Sequence, residues 1–201
     1  AAATSTDPNY GGFNGADIEG TNADNDVAGI TVSPTSGLVT NEAGGQSSFE
    51  IVLNTLPTHR VTVDIESTDS SEVTISPSTL EFLVSTWASA QTITVTGVND
   101  WDDDDDALVT VRVLSAESTD SNYDGFNPDD VEVTNEDDDE AGIAVSPTSG
   151  LTTSESGSTA QFTVVLTSRP ESSVTVGLSS SAGDEASISD SSLTFTRAAW
   201  S

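Results

Sequence analysis

The chain has no cysteine, no methionine, one histidine and only four lysines and arginines among 201 residues. Without cysteine, neither disulfides nor thiolate metal sites can form, which leaves core packing, hydrogen bonds and oxygen-ligated hard cations to hold the fold. No apolar run approaches the roughly 20 residues of a membrane span and no signal peptide is visible, so the sequence reads as a mature or excised piece. Against the four basic groups stand 34 acidic ones, for a formal net charge of −30. Such a field repels nucleic acid and anionic membrane surfaces, and the partner it suits is a cation. A disordered acidic chain is also excluded, because 34% of the residues are hydrophobic and they fall in short β-branched runs.

What is present is a repeat. GITVSPTSGL at 29–38 returns as GIAVSPTSGL at 142–151, a period of 142 − 29 = 113 residues. The match runs on without a gap: Phe49–Leu53 lies over Phe162–Leu166, Val61–Val63 over Val174–Val176, and Trp87 over Trp200. Upstream, residues 5–26 lie over 118–139. The expected organisation is the tail of one repeat at 1–27, a complete repeat at 28–140 and the first half of the next at 141–201. Half a repeat would bare unpaired strand edges, so the sequence is read as a window on a longer tandem array, or as a unit completed by neighbouring chains.

Within the complete repeat, apolar and polar residues alternate at Ile30/Val32, Phe49/Ile51/Leu53, Val61/Val63/Ile65, Val73/Ile75, Leu80/Phe82, Ile93/Val95, Val109/Val111/Val113 and Val131/Val133. Period-two alternation separated by Ser-, Thr-, Asp-, Gly- and Pro-rich segments predicts strands and no helix. Seven or eight strands in about 113 residues predict an all-β chain of tandem antiparallel, immunoglobulin-like β-sandwiches. Gly97 interrupts a strand just before an acidic loop, where a bulge is expected.

That loop, Asn99-Asp100-Trp101-Asp102-Asp103-Asp104-Asp105-Asp106, has no lysine or arginine near it in sequence to pair with. Two further acidic features belong to the same repeat: Glu42 in TNEAGG, and Asp137, Asp138 and Asp139 in NEDDDE, which leads directly into the following AGI. Asp24 and Asp26 stand 113 residues before Asp137 and Asp139, and Glu155 stands 113 after Glu42, so the pattern recurs. Alternate loops of a sandwich gather at one pole. Unit charges about 4 Å apart repel by about 4 kcal/mol at an effective dielectric near 20, and a bound divalent cation removes that penalty. Calcium is the expected ion, because it takes six to eight oxygen ligands in flexible geometry. Zinc, copper or iron would call for Cys or His.

Asp102, Asp103 and Asp105 are weaker ligand candidates, since successive side chains of an extended loop point opposite ways. Asp120, Asn122 and Asp124 open the string DSNYDGFNPDDV like an EF-hand loop, but Val131 occupies the position where that loop needs glutamate. The blander reading is a tight turn with a packed tyrosine. Trp101 is the residue that could stack on a sugar, making a carbohydrate-binding module the alternative function. No enzyme is expected. His59 is replaced by Ser172 in the next copy, no nucleophile has a recognisable context, and carboxylates held beside calcium are poor general acids.

The string SPTSGLTTSESGSTAQFTVVL, the tryptophan, TITVTGVND with its spaced aspartates and the terminal acidic triplet together resemble the Calx-beta repeats of large bacterial surface and secreted proteins. The resemblance spans essentially the whole chain. It implies the same sandwich and calcium bound at one tip. By position the ligands would be Glu42; Asp100, Asp104 and Asp106; and Asp137, Asp138 and Asp139, with Asp69 or Glu72 as a weaker addition. The sequence departs at Asp105, where those repeats usually carry glycine, and at Asn99, where they often carry aspartate. The expected role is a calcium-stabilised repeat that stiffens an extracellular bacterial adhesin, stalk or fibre, with neighbouring repeats or identical subunits, and surface glycans, as the expected partners.

Overall fold

The computed structural model describes residues 1–201. Ten strands fill residues 30–136: β1 Ile30–Ser33, β2 Leu38–Asn41, β3 Gln46–Leu53, β4 Val61–Ser67, β5 Val73–Ser76, β6 Thr79–Phe82, β7 Gln91–Gly97, β8 Ala107–Val113, β9 Glu117–Ser118 and β10 Val131–Glu136. One sheet has the order β1-β3-β7-β5 and the other β2-β10-β8-β4-β6, with β9 also on β4. The alternation seen in the sequence sets which side chains face inward. Phe49, Ile51, Ile93 and Val95 from the first sheet meet Val61, Val63, Val111 and Val133 from the second in one buried apolar cluster. Each such side chain contributes roughly 1.5–3 kcal/mol relative to exposure, and this core holds the two sheets together beneath a heavily charged pole.

The fold is the expected all-β sandwich, with two differences. The strands β2 and β9 join the eight anticipated ones. The pairing of β2 with β10 is parallel, in register Leu38 with Val133 through Asn41 with Glu136, whereas every other pairing is antiparallel. Because β2 and β10 run the same way, both deliver their C-terminal residues to the same end of the sandwich. There β7 also ends and β5 and β8 begin.

Residues 141–201 form two hairpins: β11 Ile143–Ser146 with β12 Thr163–Leu166, and β13 Val174–Gly177 with β14 Ser192–Phe195. Their registers repeat those of the sandwich at the offset found in the sequence. Ile143 faces Leu166 as Ile30 faces Leu53, and Val174 faces Phe195 as Val61 faces Phe82. Residues 1–27 contain no strand, only a bridge between Ala2 and Asn14. The chain has no helix, and so none long and apolar enough to cross a membrane.

Candidate metal centre

The parallel register of β2 and β10 builds the charged pole. With Asn41 beside Glu136, the next residues of each strand, Glu42 and Asp137, emerge side by side, and the Glu42 amide donates to the Glu136 carbonyl at 3.1 Å. The turn after β2 is closed by the Gly44 and Gly45 amides, which donate to the Asn41 carbonyl at 3.1 and 3.2 Å. Gly97 ends β7 directly against this turn: a Cβ there would lie 2.1 Å from the Asn41 carbonyl oxygen and 2.5 Å from Asn135 Oδ1. The expected bulge at Gly97 is instead a close approach of two backbones. Asn135, buried beneath the pole, donates to Glu72 Oε2 at 3.2 Å and accepts from the Thr40 hydroxyl at 2.9 Å.

Two groups of carboxylates result. Glu42, Asp138 and Asp139 offer oxygens that lie within 4.8 Å of one another, and so do Glu72, Asp100 and Asp104. Glu42 is only 3% exposed. Burial pushes its carboxyl above the ordinary glutamate value, a donated hydrogen bond from Asn99 opposes this, and the charges of Asp100, Asp137 and Asp139 add to the rise. Burial likewise raises Glu72, against a hydrogen bond from Asn135, with Asp104 and Asp100 adding to it. Asp104 and Asp139 are raised by burial and then by neighbouring aspartates. Asp139 Oδ2 is buried with no hydrogen-bond partner. Native structures pair such atoms, and an orphaned carboxylate oxygen facing other carboxylates is the arrangement a hard cation completes.

The other candidates separate by what their oxygens already hold. Asp137 lies between the groups: Oδ2 accepts from the Asp104 amide at 3.3 Å and Oδ1 from the Asp139 amide at 2.8 Å. Asp106 accepts from the Asp137 amide at 3.2 Å and Asp103 from the Ala141 amide at 2.8 Å, so both tie the acidic loop to the segment leaving β10. Asp105 is exposed. Asp69 sits outside both groups, in a turn where Ser71 donates to it from amide and hydroxyl and lowers its carboxyl. Of the Asp69 and Glu72 pair, Glu72 is the one at the pole.

Asp120 closes a turn, accepting from the Thr58 amide at 2.7 Å and the Asn122 amide at 3.0 Å. These bonds lower its carboxyl. Asp124 accepts from the Ser118 amide at 3.3 Å, and Tyr123 is buried with its hydroxyl donating to the Thr55 carbonyl at 2.6 Å. The EF-hand-like string is thus a turn anchored by a packed tyrosine. Asp24 and Asp26 are exposed, the Asp26 amide donating to Asp24 at 3.0 Å, and Glu155 is exposed; none of the three joins a carboxylate group.

One expectation is corrected outright. The acidic loop does meet arginines, and they come from far along the chain. Arg169 holds Asp102 with two bonds, Nε to Oδ1 at 2.7 Å and an Nη to Oδ2 at 2.5 Å, and Arg197 reaches the same Oδ2 at 2.6 Å. These bonds bring the Asp102 carboxyl from 3.8 down to about 2, with the Arg169 hydrogen bond the largest cause. Strict alternation would put Asp100, Asp102 and Asp104 on one side of the loop. Trp101 breaks it by adopting φ 81°, and Asp105 adopts φ 68°. The left-handed conformation at Asp105 gives a physical reason for the glycine found there in the repeats that the sequence resembles. Trp101 leans on Trp200, with ring centroids 6.2 Å apart and planes inclined at 52°.

No protein-family model matches the sequence, and no curated protein matches it. Among solved structures, the apo form of the Calx CBD1 domain is 15% identical, with a TM-score of 0.42 over 55% of this chain and 96% of that one. CBD12 from CALX1.2 is 14% identical, with the same TM-score over 54% of this chain and 44% of that one. The periplasmic chaperone SfaE is 15% identical, also at 0.42, over 55% of this chain and 58% of that one. At these values neither a family nor an activity is inherited, and the sandwich stands on the strand pairings above.

Proposed function

We propose that the chain is a calcium-binding structural repeat, and that its acidic pole takes calcium between Glu42, Asp138 and Asp139 and between Glu72, Asp100 and Asp104. The observation that carries this reading is the convergence of six carboxylates from four separate segments on one pole, with Asp139 Oδ2 buried and unpartnered. Burial and neighbouring carboxylates disfavour the ionised forms of Glu42, Glu72, Asp104 and Asp139, so a divalent ion relieves a cost that the fold otherwise bears. Oxygen-only ligands suit calcium, and the open, many-carboxylate arrangement suits the roughly millimolar affinities of extracellular modules.

The role we assign is mechanical and non-catalytic. Asp137 to Glu140 run straight from the pole into residues 141–201. An ion on Asp138 and Asp139 would therefore stiffen the only covalent link between the two parts, as befits an adhesin, stalk or fibre outside a bacterial cell.

The test is thermal unfolding of the 201-residue chain with calcium and with chelator. At calcium one hundred times its dissociation constant, linkage adds about 2.7 kcal/mol, equivalent to a rise of about 10 °C in a domain of this size. Asp139→Asn combined with Asp104→Asn removes most of that rise. An unchanged midpoint in calcium sinks the reading.

A further inference from the structure

The four arginines of the chain divide into two kinds. Arg60 pairs with Glu81 at 2.8 Å and Arg112 with Glu66 at 3.5 Å, both exposed and both across neighbouring strands of the sandwich. Arg169, between β12 and β13, and Arg197, just after β14, instead converge on one carboxylate, Asp102, 67 and 95 residues away. In a chain with 34 acidic residues, an arginine finding some carboxylate would be unremarkable. Two arginines choosing the same one, one of them with a two-point grip, is a built contact.

Two further contacts accompany it. The Arg169 amide donates to the Trp101 carbonyl at 2.8 Å, and Trp101 leans on Trp200. Backbone, charge and ring therefore dock the same face.

The sandwich supplies an internal control. The residues 113 positions before Arg169 and Arg197 are Leu56 and Val84, exposed by 59% and 44%. The strand pairing Val61–Phe82 forms with those apolar residues as readily as Val174–Phe195 forms with the arginines. Neither arginine is needed to make its hairpin. What distinguishes the two copies is what lies in front of them, and in front of Arg169 and Arg197 lies Asp102.

We propose that the seam between the sandwich and residues 141–201 is held by a metal-independent latch, in which Asp102 is the socket and Arg169 and Arg197 are the clasp. Asp102 is then an interaction residue and not a calcium ligand, and the acidic loop serves two partners at once: Asp100 and Asp104 join Glu72 at the pole, Asp100 also lying 3.9 Å from Arg169, while Asp102 holds the next segment. A segment with Leu and Val at the two clasp positions would not fit this socket.

The absence of cysteine makes the test direct. Ser78→Cys and Ser191→Cys, both exposed positions, accept spin labels for distance measurement in calcium-free buffer with chelator. The labelled chain is expected to give one narrow distance distribution. Arg169→Leu with Arg197→Val, the residues the sandwich itself carries, should broaden it at least about twofold, as linked units without a firm interface move independently. Asp102→Asn should do the same from the other side, and because it lies outside residues 141–201, its effect cannot come from misfolded hairpins. A width unchanged by Asp102→Asn or by the arginine replacements overturns the latch, as does a parent chain that is already broad without calcium. Since no ion is present in any arm, the outcome is separate from that of the calcium titration.

Discussion

Gly97 shows how one residue can decide a whole site. Glycine inside a strand ordinarily weakens it, through lost entropy and a missing side chain. Here the missing side chain is the point, because the Asn41 carbonyl oxygen occupies the place a Cβ would take, at 2.1 Å. Glu42 follows Asn41 directly, so the depth of the glutamate in the pole is set by how closely β7 approaches the turn after β2. Gly97→Ala must push backbone against backbone, with no flexible side-chain end to yield. We expect a loss of about 2–3 kcal/mol in urea unfolding, the usual cost of forcing extra volume into a packed site, together with a smaller calcium-induced rise in midpoint as Glu42 is displaced. Equal stability of variant and parent would show that the two strands are free to separate.

At the level of elements, the parallel β2–β10 pair matters most, and Asn135 is its pin. Asn135 is 1% exposed and serves the Thr40 hydroxyl, Glu72 Oε2 and the Val98 carbonyl from one amide. Replacing it with alanine leaves a buried hydroxyl and a half-buried carboxylate short of partners, which costs about 2–4 kcal/mol by chemical denaturation; a change below about 0.5 kcal/mol would mean that water substitutes for the amide. Alternation made eight strands legible because each carries two or three inward Val, Ile, Leu or Phe residues. It did not reveal β2, whose inward pair is Leu38 and the polar Thr40, nor β9, two residues long. The acidic residues of the pole were legible as a charge pattern that the repeat reuses, and the structure brings Glu42, Asp100, Asp104, Asp138 and Asp139 into the two groups. Glu72 stood out less because a lone glutamate before a strand has no pattern. Asn135 had one faint signal, the Thr21-Asn22 pair 113 residues before Thr134-Asn135. The arginines on Asp102 had none, since a contact across 67 residues leaves no trace in local spacing.

Across the whole molecule, the shifted carboxyls fix how stability should respond to pH. Glu42, Glu72, Asp104 and Asp139 are all raised in the folded chain, each chiefly by burial. An acid raised by folding binds protons more readily in the native state than in the unfolded one, so the calcium-free chain loses stability as pH climbs through and above the ordinary carboxylate range. Asp102 works in the opposite sense, but its contribution is lost only as pH falls from 3.8 toward about 2, outside that window. Growing net negative charge acts in the same direction as the four raised acids. The calcium-free midpoint should therefore fall in scanning calorimetry as pH climbs above the ordinary carboxylate range. Calcium needs its ligands deprotonated, so its stabilisation grows over the same interval and the two curves diverge. Asp139→Asn removes one raised acid while leaving nearly all of the net charge in place, and it should flatten the calcium-free curve. A calcium-free midpoint that rises with pH would mean that the acids of the pole are ionised without strain, and that no cation is needed to bring them together.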